Sequence, residues 1–149
     1  IYDKQGEYDK ALDDFKRTLE INPQYMRGYW GRARAYVAKK EYDMAIADYN
    51  QALKFDPTNA ILYMNRGTAY ARIGATEKAL NDFTKAMELD PNDNTSYFSI
   101  AMVYEQLGNY NDAIKMYTLF LQRISSPTNE IIPLIEVAKA KIKILQQNQ

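Results

Sequence analysis

The chain has 149 residues, 46% of them hydrophobic, with 19 Lys and Arg against 19 Asp and Glu and neither Cys nor His. The balanced charge excludes a net field that would draw it to nucleic acid or a membrane surface. The missing Cys and His exclude disulfides, thiolate nucleophiles, imidazole bases and nearly all zinc chemistry, while leaving the redox compartment open.

Residues 1–23 read as the end of one helix and all of the next, a partial first unit. Gly6 supplies the expected turn, and Tyr8, Ala11, Leu12, Phe15 and Leu19 then recur at helical spacing on one buried face. Asn22-Pro23 ends that helix, because the residue before a proline is pushed out of the helical region. The partner helix before Gly6 is almost wholly absent, so the sequence reads as a fragment. An apolar face is expected to meet missing chain or another molecule there.

Residues 24–57, 58–91 and 92–124 each read as a complete helix pair. The first carries Tyr29, Ala33 and Tyr36, a turn at Lys39-Lys40-Glu41, then Tyr42, Ala45, Ile46, Tyr49, Ala52 and Leu53. The second breaks at Gly74. The third carries Tyr97, Ala101 and Tyr104, a turn at Leu107-Gly108-Asn109, then Tyr110, Ala113, Ile114, Tyr117 and Leu121. After it, Ser125 stands where Pro is due, and Ser126-Pro127-Thr128-Asn129 makes a longer loop with residues able to cap a helix. Residues 128–147 read as a terminal helix whose apolar side, from Ile131 to Leu145, covers the last pair. Lys139, Lys141 and Lys143 then read as its solvated side. No apolar run approaches the roughly 20 residues that cross a bilayer.

The punctuation repeats every 34 residues, at Pro23, Pro57 and Pro91, at Tyr2, Tyr36, Tyr70 and Tyr104, and at Ala11, Ala45, Ala79 and Ala113. An internal repeat of this length implies a solenoid of stacked antiparallel helix pairs. Each pair buries its apolar face against its neighbours. Small residues, including Ala33, Gly67 and Ala101, are expected where helices cross, since close approach tolerates little bulk.

These residues resemble the tetratricopeptide repeat (TPR), whose pattern sets Tyr or Trp, Gly or Ala, Tyr, Ala, Phe or Tyr, Ala and Pro at fixed offsets. Residues 58–91 supply Tyr63, Gly67, Tyr70, Ala79, Phe83, Ala86 and Pro91, and residues 24–57 supply Tyr29, Ala33, Tyr36, Ala45, Tyr49, Ala52 and Pro57. Thr18 and Phe120 depart at the late alanine, Ser125 at the proline and Thr76 at an aromatic position. The resemblance implies an all-α solenoid, a right-handed superhelix with a C-terminal capping helix, whose first helices line a concave groove for peptides or proteins.

On that reading the groove is lined by Arg27, Trp30, Arg34 and Val37, by Met64, Asn65, Thr68 and Arg72, and by Phe98, Met102, Glu105 and Gln106. Trp30, Met64, Phe98 and Met102 are apolar beyond what the packed face needs, which suggests a binding strip, although packing on a neighbouring repeat is the alternative. Arg27, Arg34 and Arg72 suit a partner carboxylate or acidic motif; a solvated helix face is the competing reading. Trp30 is the expected anchor, and Trp30→Ala should weaken binding by about 2 kcal/mol while leaving folding nearly intact. Of the five residues with which one branch of the family, the chaperone-binding co-chaperones, holds a C-terminal carboxylate, only Asn65 is matched here, which argues against that clamp.

Other apparent motifs fail. The run from Asp90 to Asn94 resembles a calcium loop, but Thr95 and Ala101 stand where Gly and Glu are required. Asp48 and Asp82 read as outer-face charges and not as an acid and base pair. Asn94-Thr95-Ser96 is a glycosylation sequon only in a secreted chain, and Ser126-Pro127 is a weak phosphorylation motif. No catalytic residue, metal or cofactor is expected, nor nucleic acid or membrane insertion. The expected function is a protein-interaction scaffold. The alternatives are self-assembly, as a homo-oligomer formed through the incomplete N-terminal repeat, or the scaffold arm of a larger multidomain protein. The compartment is left open, a cytoplasmic setting being the expectation.

Overall fold

A computed structural model describes residues 2–147, with side chains from residue 6 onward. Among the described residues all regular structure is helical: α1 (Tyr2–Ile21), α2 (Met26–Ala38), α3 (Tyr42–Phe55), α4 (Ala60–Arg72), α5 (Thr76–Leu89), α6 (Asn94–Gln106), α7 (Tyr110–Arg123) and α8 (Ile132–Gln147). The chain is an all-α array of the solenoid class. Ile1 and the side chain of Tyr2 lie outside the described part.

Turn chemistry recurs with the sequence. Lys40, Gly74 and Gly108 adopt left-handed backbone conformations with φ of 62°, 76° and 75°. In each case the following N–H donates to the carbonyl five residues back at 2.9 Å: Glu41 to Tyr36, Ala75 to Tyr70 and Asn109 to Tyr104. This bond closes a Schellman motif and satisfies a carbonyl that the helix end leaves unpaired. Gly6 stands in the same register but lies inside α1, so the turn expected there is not formed. Continuing the helix through this position adds one hydrogen bond per residue. The helix starts are also fixed: Asn59 accepts from the Leu62 N–H at 3.3 Å, and Asp93 from the Thr95 N–H at 3.0 Å. Tyr29 and Tyr63 donate to the Pro23 and Pro57 carbonyls at 3.0 and 3.2 Å, tying a helix to the turn before it. Arg123 donates to the Pro91 carbonyl and stacks on Tyr97 at 4.7 Å.

The helices fall into two compact units, residues 1–82 and 83–149, and the division lies within α5. In the first unit α1 packs on α2, α2 on α3 and α3 on α4. Its core is Ala33, Ala45, Tyr49, Ala52, Leu53 and Leu62. A Cβ added at Gly31 would come within 2.3 Å of the Phe15 ring, so glycine sets the approach of α2 to α1.

Asp48 and Asp82 are corrections to the sequence reading, because each is only 5% exposed. Arg32 grips Asp48 through Nε and Nη2, both at 2.7 Å, and Arg66 grips Asp82 at 2.8 and 2.7 Å. Arg66 also donates to Asn50 at 2.6 Å. A carboxylate cannot be buried cheaply alone, and the fork of a guanidinium on the facing helix is what permits it. One repeat further on, the equivalent positions are Ile100, which is buried, and Met116, which is partly buried.

In the second unit α6 packs on α7 and α7 on α8. The Phe98 ring meets Tyr117 and Phe120 edge to face at 5.5 and 5.3 Å. Ala138 and Leu145 of α8 are buried in that cluster, and Leu134, Ile135 and Ile142 pack against it.

Candidate functional site

In the first unit the expected binding residues lie on α2 and α4. Arg27, Arg34, Thr68 and Arg72 are exposed, whereas Trp30, Val37, Met64 and Asn65 are partly buried. The two helices carry five arginines with two fates. Arg32 and Arg66 are held by Asp48 and Asp82, whose hydrogen bonds raise both guanidinium pKa values above the usual range. Among the described residues, Arg27, Arg34 and Arg72 enter no ion pair. No acidic residue belongs to the expected face on α2 or α4.

Trp30 departs from its expected role. It packs with Tyr29, Tyr36 and Val37 against the first unit's core, and Arg34 lies 6.0 Å from its ring centroid. Its indole N–H is buried without a hydrogen-bond partner. Truncating Trp30 therefore removes core contacts as well as any ligand contact, and the expectation that folding would be nearly intact does not survive. Thr68 donates back to the Met64 carbonyl at 2.9 Å, which leaves its oxygen to accept from a ligand.

In the second unit the expected residues separate. Phe98 is 7% exposed and belongs to the core, so it is not offered to a partner. Helical periodicity distinguishes a packed from an open face only coarsely, and the aromatic pair on α7 draws Phe98 inward. Met102 is 48% exposed. Glu105 is already engaged, accepting from Lys141 Nζ at 2.5 Å and from the Tyr117 hydroxyl at 3.2 Å. Lys141 thus ties α8 to α6 and does not merely stand on a solvated side, unlike Lys139, which pairs with Glu136 at the surface. Met102, Glu105, Gln106, Tyr117, Val137 and Lys141 surround a cleft of about 280 Å³. Sequence reasoning missed the contribution of α8. The four-residue spacing of Val137 and Lys141 puts them on one face, but nothing in it says which helix that face meets.

Among the described residues there is no group of three or more metal-ligating side chains, and no helix is long and apolar enough to cross a membrane.

Comparison with known proteins agrees with the repeat geometry. A family model for the tetratricopeptide repeat matches residues 1–25 and 60–93, a TPR repeat model matches 33–74, and another tetratricopeptide repeat model matches 83–115. No curated protein matches the sequence significantly. Among solved structures, MamA is 21% identical with a TM-score of 0.84, over 96% of this chain and 79% of that one. YrrB, described as a TPR protein with an unusual peptide-binding site, is 22% identical with a TM-score of 0.78, over 96% and 70%. The Sgt2 TPR domain from Aspergillus fumigatus is 27% identical with a TM-score of 0.69, over 82% of each chain. With helix pairs recurring every 34 residues, turns in register and family matches over residues 1–25 and 33–115, the chain belongs to the tetratricopeptide-repeat family.

Proposed function

We propose that this chain is a non-enzymatic interaction module. It binds an extended or helical segment of a partner protein along the first helices of its repeats, at 24–57, 58–91 and 92–124, with residues 128–147 as the cap. The tetratricopeptide-repeat fold supports a protein-interaction scaffold. The observation that carries the finer reading is the divided fate of the arginines on α2 and α4. Two are neutralised internally, while Arg27, Arg34 and Arg72 remain exposed with no carboxylate of the chain's own among the described residues. Exposed guanidinium groups without an internal carboxylate suit a partner carboxylate or acidic motif, because each donates paired hydrogen bonds. That YrrB is described as having a peptide-binding site gives the reading further support.

The test compares an acidic peptide with its neutral Gln and Asn counterpart by fluorescence anisotropy. The acidic peptide should bind more tightly, and Arg34→Ala should weaken it about tenfold, as loss of one charge-assisted hydrogen bond implies. Raising salt should weaken it further. Equal affinity for both peptides, or an unchanged affinity in Arg34→Ala, overturns the reading. Arg34 is the better probe than Trp30 because it is exposed.

A second reading, self-assembly, is favoured by Ile21, an aliphatic side chain 86% exposed at the end of α1. Light scattering against concentration separates the two: growth in size that Ile21→Ser abolishes supports assembly.

A further inference from the structure

The cleft between α6 and α8 has a different chemistry from the arginine face. Its apolar walls are Met102 and Val137, which are 48% and 43% exposed. Its charges cancel internally: Lys141 Nζ meets one Glu105 oxygen at 2.5 Å, and the buried Tyr117 hydroxyl meets the other at 3.2 Å. A charged occupant would have to break that pair, whereas an uncharged one leaves it intact. At about 280 Å³ the cleft lies just below the roughly 300 to 1,000 Å³ range of small-molecule sites. With Met102 and Val137 both close to half exposed it is open at its mouth, so a side chain can enter it while the main chain that carries it stays at the rim. Methionine adapts its shape to an aliphatic guest, and the exposed Gln106 amide offers both a donor and an acceptor at the rim.

We propose that this cleft is an anchor pocket for a single uncharged aliphatic side chain, of leucine size, on a partner peptide whose main chain bonds to Gln106. The inference rests on the reading of the chain as a peptide-binding module, and it names what the second unit takes. Glu105 and Lys141 serve in it as a closed pair that forms the floor and selects against charge. They are not partners for a salt bridge.

The experiment titrates four acetylated, amidated pentapeptides, with Leu, Ala, Asp or Lys at the centre of an otherwise alanine sequence, into the whole chain labelled at its methionine methyl groups. The Leu peptide should move the Met102 methyl resonance saturably, and the other three should bind at least tenfold more weakly. Val137→Phe, a change at an exposed position, should fill the cleft and abolish the shift while the circular dichroism spectrum is kept. Gln106→Ala should weaken the Leu peptide severalfold without touching the apolar walls. An equal response to all four peptides, or an undiminished response in Val137→Phe, overturns the pocket. If the acidic peptide still binds through Arg34 while Met102 is silent, the pocket is wrong and the module reading stands. Silence at both sites sinks both.

Discussion

At the scale of single residues, the repeat register assigns the same turn position to Lys40, Gly74 and Gly108, yet only two of the three are glycine. Lys40 holds φ at 62°, where a Cβ crowds the following carbonyl. Lys40→Gly relieves that crowding at an exposed site and should raise stability by about 1 kcal/mol in urea titration, the larger backbone entropy of glycine being the smaller effect. Gly6 occupies the same register inside α1, where an added Cβ meets nothing within 4 Å. Gly6→Ala should therefore also stabilise, by roughly 0.5 to 1 kcal/mol, through helix propensity. One position in the repeat prefers opposite residues because the local backbone differs. If Lys40→Gly lowers the urea midpoint, the left-handed turn is not the source of the strain.

Between helices, the Arg32 to Asp48 and Arg66 to Asp82 links are what the apolar Ile100 and Met116 replace one repeat later. Taking charge out of water is costly, and the mutual attraction offsets that cost only while both partners are present. Asp48→Ala should destabilise by about 2 kcal/mol, since it strands a part-buried guanidinium. The double change Arg32→Ile with Asp48→Met, which copies the later repeat, should return to within about 1 kcal/mol of the starting stability. If the double variant is as unstable as the single one, the links carry more than charge compensation. The same pair marks what the sequence showed and hid. The 34-residue spacing of Pro, Tyr and Ala located the helices and most crossings, and Ala33, Ala45, Ala79, Ala101 and Ala113 are fully buried. The spacing of Asp48 and Asp82 was equally visible, but a carboxylate on a helix reads as solvated until its partner sixteen residues earlier is seen across the helix pair. Phe98 and Lys141 were hidden for the same reason. Periodicity assigns a residue to a side of its own helix and is silent on what other helices bring to that side.

Over the whole chain, each compact unit holds one tyrosine sealed in its core, Tyr49 in the first and Tyr117 in the second. Burial pushes the Tyr49 hydroxyl up to about 12, with nearby Arg34 pulling the other way. Tyr117 is raised as well, first by burial and then by the adjacent Glu105 carboxylate. Below pH 10 neither state ionises these groups, so stability is unaffected. Above pH 10 the unfolded chain releases both protons while the folded chain keeps them, so the native state binds more protons and stability falls as pH rises. Each tyrosine contributes a slope of about 1.4 kcal/mol per pH unit between pH 10 and 12. Lys39, held protonated by hydrogen bonds to Asp9 and then Glu41, acts in the same direction. Tyr49→Phe and Tyr117→Phe isolate the phenol contributions from that background. Because α5 runs through the division, unfolding either unit leaves the other with only half of that helix. A single cooperative transition is the expected result. Urea unfolding from pH 9 to 12 should then show the two phenylalanine variants each reducing the slope by about 1.4 kcal/mol per pH unit, and the double variant by about twice that. Two separate transitions, each sensitive to only one of the substitutions, would show instead that the units unfold independently.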